Sequence, residues 1–131
     1  MEGKQFIPLK ELKVYQLARV LSDKAWKIYS RMKYEEKKII GDQFITSTDS
    51  VGANIAEGYG RFHFLDKVKF YYNSRGSLIE SFEHWLDLMK ERKMISEIEH
   101  EEFYSIAKDL QIKLNNLITQ TKDENSSEKR K

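Results

Sequence analysis

From Val14 to Leu117 the apolar residues of this chain return every three or four positions, and nowhere do they alternate at period two over a useful length. This pattern constrains the fold most, because period 3.6 buries one stripe of a helix whereas a half-buried strand needs period two. Val14, Leu17, Leu21, Ala25, Ile28 and Met32 form a first stripe, predicting a helix over 9–32 with Pro8 at its start. After a break at Lys33-Tyr34-Glu35 the stripe resumes through Ile40, Phe44, Ser47, Val51, Asn54 and Gly58. Val68, Tyr71, Arg75, Leu78, Phe82, Trp85 and Met89 give the clearest seam, a heptad interrupted by Arg75. A tight turn at Met94-Ile95 and the capping box Ser96-Glu97-Ile98-Glu99 open a fourth helix. Phe103, Ile106, Leu110, Leu114 and Leu117 carry it to Thr121. Four amphipathic helices with short connections predict an all-α fold, an antiparallel up-down-up-down four-helix bundle.

At 131 residues the chain suits one domain, and its single proline and six glycines leave few helix breaks. The expected layout is an N-terminal extension over 1–8, the bundle over 9–121, and a disordered charged tail over 122–131, where KDENSSEKRK offers nothing apolar. The absence of cysteine removes disulfides and thiolate metal sites, as expected for a reducing compartment. No apolar run approaches the roughly 20 residues that cross a bilayer, and MEGKQFIPLK lacks a signal-peptide core. A soluble, cytoplasmic protein is expected.

The stretch SVGANIAEGYGR holds three of the six glycines. Gly52, Gly58 and Gly60 match neither the Walker spacing nor the dinucleotide fingerprint, and no strand precedes them. Small residues on one helical face instead let a neighbouring backbone come close, with Gly58-Tyr59-Gly60 stopping the helix through a left-handed glycine. Asn54 falls in the apolar stripe and Glu57 lies three residues on. Both are expected to be buried, Asn54 fixing register and Glu57 paired with Arg75 or Arg61. The competing reading makes Asn54, Glu57 and Arg61 a ligand cluster.

A carboxylate-bridged di-metal bundle needs two Glu-x-x-His motifs. This chain has one, Glu97-Ile98-Glu99-His100, expected to face solvent in the first turn of its helix. Glu80 and His84 share a face, and His63 is expected at the surface or as a cap. No spacing identifies a nucleophile with its base. Neither catalysis nor a cofactor nor a metal is expected.

Charge is polarised. Residues 1–40 hold ten Lys and Arg against five acids, and residues 80–105 hold three against eight. Such asymmetry can steer polyanions or pair faces across a subunit boundary, but the charge pattern alone favours the plainer reading of two solvated helix faces.

ELKVYQLA, GDQ followed by DSVGANIAEGYGR, FYYNSRGSLIESFEHW and MISEIE resemble the four-helix-bundle family of 23S rRNA intervening-sequence proteins, also called the S23 ribosomal protein family. The resemblance covers 9–121 and extends to the accessory protein of diversity-generating retroelements, a basic pentameric barrel associated with a reverse transcriptase and with nucleic acid. It implies a self-assembling bundle, a homopentamer, with RNA or DNA as partner and no known catalysis. Asn54, Glu57 and Gly58 match the family's NIAEG, Arg61 its following basic residue, and Gly76-Ser77-Leu78 with Glu80 its GSLxE segment. One departure is notable: Ile45 and Thr46 stand where relatives carry two arginines.

The expected nucleic-acid face therefore comprises Lys10, Lys13, Lys24, Lys27, Arg31, Lys33, Lys37 and Lys38, with Arg61 as a secondary member. Gly52, Asn54, Glu57, Gly58, Arg75 and Gly76 are expected to serve packing or assembly, and Tyr15, Trp26 and Tyr29 to form a further interface. The alternative function is a scaffold for a partner enzyme, without direct nucleic-acid binding.

Overall fold

The computed structural model describes residues 7–129; most of the expected N-terminal extension lies outside them. Pro8 precedes a single 3-10 turn, Leu9–Glu11, and extended Leu12 separates that turn from helix α1, Lys13–Ser30. The chain breaks at 31–33, two residues earlier than the expected Lys33-Tyr34-Glu35, and Tyr34 and Glu35 are already helical. Helix α2 spans 34–59 as one rod: a first turn Tyr34–Glu36, a wide π-type turn Lys37–Gly41, and regular helix Asp42–Tyr59. Helix α3 spans 64–91, with a second π-type segment Glu80–Trp85 between Phe64–Ile79 and Leu86–Glu91. Helix α4 is Glu97–Lys129.

Consecutive helices run antiparallel, and contacts between them fix the register. Gly52 faces Ala18 across α1–α2, and Ser74 donates to the Val51 carbonyl across α2–α3 at 2.8 Å. Arg75 reaches Asn115 across α3–α4, and Lys24 meets Glu102 across α4–α1, closing the square. The fold is thus the all-α four-helix bundle expected from periodicity. Ser96 and Glu99 form the predicted capping box, the Glu99 amide donating to Ser96 Oγ at 3.1 Å and the Ser96 amide to Glu99 Oε1 at 2.9 Å. Lys93 in the preceding turn takes φ 59°, a left-handed conformation that ordinarily favours glycine.

The core is a column of Val14, Ala18, Leu21, Ala25, Phe44, Val51, Ile55, Tyr71, Leu78, Phe82, Leu86, Phe103, Leu110 and Leu114. It corrects the stripes in detail. The π-type segment in α3 adds a residue to the turn, so Leu86 enters the core and Trp85 rotates to its edge, its indole N–H donating to Glu80. Ala18 lies deeper than Leu17 because Gly52 brings α2 close: a Cβ at residue 52 would lie 3.5 Å from that of Ala18. On α2 it is Ile55 that is buried, leaving Asn54 half-buried.

Residues 122–129 correct the expected tail. They continue α4 instead of leaving the bundle. Thr121 is buried and Lys122 sets its ammonium 4.9 Å from the Tyr72 ring centre, while Glu124 and Asn125 line the cleft beside the α2–α3 turn. The helix persists because a neighbouring surface receives it, which composition cannot reveal.

Candidate nucleic-acid interface

The expected cationic face divides into two kinds of site. Toward the C-terminal end of α1 three of the charges are matched within the chain, whereas Lys10 and Lys13 at its other end form no ion pair among the described residues. Lys27 pairs with Asp23 at 3.1 Å, Lys24 approaches Glu102 at 3.7 Å, and Arg31 grips both oxygens of Glu99, one through Nη2 at 2.8 Å. Hydrogen bonding to Glu99 raises the Arg31 pKa, and the same contact, aided by the Ser96 amide, holds the Glu99 carboxyl below its ordinary range. The basic first third of the sequence and its acidic 80–105 stretch therefore meet within the chain, across α1–α4. Lys10 and Lys13 are exposed at the far end of α1.

Lys33, Lys37 and Lys38, at the α1–α2 turn, form no ion pair among the described residues. Lys37 and Lys38 lie over aromatic rings instead. The Lys37 ammonium lies 4.9 Å from the Tyr29 ring centre and that of Lys38 lies 5.3 Å from Tyr34. Tyr29 donates its hydroxyl to Asp42 Oδ1 at 2.6 Å, and this bond raises the phenol's pKa. Its ring stacks on Trp26, centroids 5.7 Å apart. Of the aromatics expected to be exposed, Trp26 is, whereas Tyr15 and Tyr29 are half-buried; the junction of Trp26 and Tyr29 with Lys37 depends on the π-type turn, which no spacing announces.

The other expected sites are arranged differently from the sequence reading. Glu57 is exposed and pairs with Arg61 at 3.2 Å one helical turn away, so it is no buried anion. Arg61 also lies over the Phe70 ring at 4.7 Å. Asn54 returns its amide to the Ser50 carbonyl at 2.9 Å on its own helix, so it does not set register between helices. Arg75 lies over Tyr72 and bonds Asn115, not Glu57. Gly76 is exposed, and a Cβ placed on it would meet nothing in the subunit within 4 Å. Ile45 packs at the core's edge and Thr46 is exposed.

Helix α2 ends without a left-handed glycine. Gly60 keeps φ −80°, because the Lys67 ammonium takes up the last carbonyls, Tyr59 O at 2.9 Å and Gly58 O at 3.4 Å. Partial burial lowers the Lys67 pKa. Lys67, Tyr59, Phe62, Leu65, Tyr71 and Glu124 line a cleft of about 1030 Å³ at this end of the bundle. His63 occupies the first position before α3 without a side-chain cap bond. His100, expected in solvent, is largely buried, its Nε2 2.6 Å from Asp87 Oδ1, because the capping box turns that face of α4 onto α3. No group of three or more His, Asp or Glu is placed to hold a metal among the described residues, and no described helix is long and apolar enough to cross a membrane.

A crystal structure of a protein of unknown function from the S23 ribosomal protein family of Bacteroides thetaiotaomicron superposes with a TM-score of 0.77, at 20% identity, over 84% of this chain and 98% of that one. Comparison with curated proteins found no match. The family model described as 23S rRNA-intervening sequence protein matches residues 10–116, which takes in α1, α2, α3, the α1–α2 turn and the first part of α4. By that match, the chain belongs to the 23S rRNA-intervening sequence protein family.

Proposed function

We propose that this protein is a self-assembling, non-catalytic bundle that associates with nucleic acid, RNA foremost, through its α1–α2 turn. The observation that carries this reading is the division of the cations. An ion-paired lysine must give up its carboxylate before it can neutralise a phosphate; Lys33, Lys37 and Lys38 have none to give up among the described residues. Each phosphate neutralised by such a lysine releases counterions, and assembly would repeat the patch on every subunit.

Salt titrations of RNA and DNA binding test this with two variants that remove equal charge. Lys33→Gln, Lys37→Gln, Lys38→Gln should flatten the dependence of log affinity on log salt by about 0.7–0.9 for each phosphate no longer neutralised. Lys24→Gln, Lys27→Gln, Arg31→Gln should leave most of the slope. Equal losses would reduce the effect to net charge. No binding at low salt would put the scaffold reading in front.

Assembly draws support from the outer flank of α3–α4. An interior helical glycine costs about 1 kcal/mol relative to alanine, and Gly76 recovers nothing inside the subunit. The Arg75–Asn115 bond sets the register, and Ile79 and Ile112, one turn along, lie on the same flank, 40% and 60% exposed. A neighbouring subunit seated there would cover both isoleucines and approach closest at Gly76; a closed ring of five is the arrangement proposed. Gly76→Ala should therefore raise the stability of the dissociated chain by about 1 kcal/mol while lowering the mass seen by light scattering. A wild-type monomer at micromolar concentration would refute assembly.

A further inference from the structure

We infer that the α1–α2 turn is a stacking platform for unpaired bases, so that the polymer bound is single-stranded; this deepens, and rests on, the nucleic-acid reading above. Trp26 is the platform. It is 57% exposed on the outer flank of α1, yet it is not loosely held. One side of its ring rests on Tyr29 at an interplanar angle of 26°.

Tyr29 is itself fixed from three directions. Asp42 accepts its hydroxyl, and Lys37 lies over its ring. Gly41 receives its edge: a Cβ there would come within 3.1 Å of Tyr29 Cδ2 and 2.7 Å of Met32 Sδ. All three partners stand in or next to the π-type turn Lys37–Gly41. Such turns recur at functional sites because they place side chains that a regular helix would not. The result is an exposed flat ring with rigid backing, and the Lys37 ammonium lies over the tyrosine that supports it.

The unit is repeated close by. Tyr34, 68% exposed, carries Lys38 over its ring. Two aromatic–ammonium pairs, Tyr29 with Lys37 and Tyr34 with Lys38, suit a flexible strand, whose bases stack while its phosphates meet Lys33, Lys37 and Lys38. A duplex keeps its bases stacked on each other, and would offer this surface phosphates alone. A protein partner would equally use exposed aromatics; what favours a strand is that, although Glu35, Glu36 and Asp42 stand in the same stretch, Lys33, Lys37 and Lys38 pair with no carboxylate among the described residues.

The test uses the full chain with Trp85→Phe, so that Trp26 is the sole fluorescent tryptophan. Short oligoadenylate should quench Trp26 emission, and an RNA duplex of matched phosphate number should not. Trp26→Ala should weaken single-strand binding about 5- to 100-fold without changing the salt slope, with Trp26→Phe intermediate and duplex binding unaffected. Single-strand affinity unchanged by Trp26→Ala, while still sensitive to the turn lysines, would overturn the platform and leave the electrostatic reading standing. Absence of all binding, with a lower assembly mass for Trp26→Ala, would overturn both and make Trp26 a subunit contact.

Discussion

Phe44→Ala should lower the unfolding free energy by about 3–5 kcal/mol, the range in which truncating a buried aromatic ring falls. The side chain is fully buried, and its ring meets that of Phe103 at 5.4 Å, a contact from α2 to α4 across the middle of the bundle. Truncation would therefore remove packing shared by non-consecutive helices and leave a cavity that neither can fill alone. The backbone beside it is already committed, since the Phe44 carbonyl accepts from both Ser47 and Thr48. Phe62→Ala is the matched control. That ring is 89% exposed, so its loss should stay within about 0.5 kcal/mol. Chemical denaturation of both variants measures the difference; similar midpoints would mean that the α2–α4 contact is not part of the stabilising core.

The contrast between these two phenylalanines shows what the sequence can convey. Periodicity places Phe44, Leu78, Phe82, Leu110 and Leu114 inward because a helical stripe follows directly from residue order. It misplaces Trp85, where the π-type segment Glu80–Trp85 widens the helix and Leu86 takes the inward position, although Met89 beyond it is buried as the stripe has it; local composition carries no mark of that segment. It misjudges Asn54 and Glu57 for another reason. A stripe has two edges, and a polar residue at the edge can turn to its own helix or to solvent, as both do here. Composition also misrepresents the tail, because KDENSS owes its order to Tyr72 and the α2–α3 turn, which are distant in sequence.

For the candidate site, the identities of the cations are legible in the sequence and their partners are not. Arg31 and Glu99 are 68 residues apart, and only the register of α1 against α4 joins them. The same register separates the matched cations of α1 from Lys33, Lys37 and Lys38, which lie past its end. Trp26 can be read as exposed, but the seat formed by Gly41, Asp42 and Lys37 arises only where a broken α1 turns back onto a widened α2.

Gly58→Val should cost about 3 kcal/mol, the upper end for overpacking a filled site. Helix propensity alone predicts the opposite sign, since glycine is the poorer helix former by about 1 kcal/mol against alanine and by less against valine. Packing decides. A Cβ at residue 58 would lie 2.7 Å from Tyr71 Cε1, 3.0 Å from Tyr71 Cδ1 and 3.0 Å from Phe70 Cβ. Tyr71 is 1% exposed and its rigid ring has no free volume to enter, while the Phe70 Cβ is tied directly to the α3 backbone. Relief would require α2 and α3 to separate where Ser74 bonds the Val51 carbonyl and Lys67 caps the end of α2. Gly60 and Gly76 give the comparison: the first would place a Cβ no nearer than 3.6 Å to its neighbours and the second meets nothing. Gly60→Ala and Gly76→Val should each stay within about 0.5 kcal/mol in the dissociated chain. If Gly58→Val were as stable as these, the glycine of the NIAEG stretch would not be held by packing, and a role in contacting a ligand would have to be reconsidered for it. If it alone is destabilised, close approach of α2 and α3 explains that glycine without a ligand.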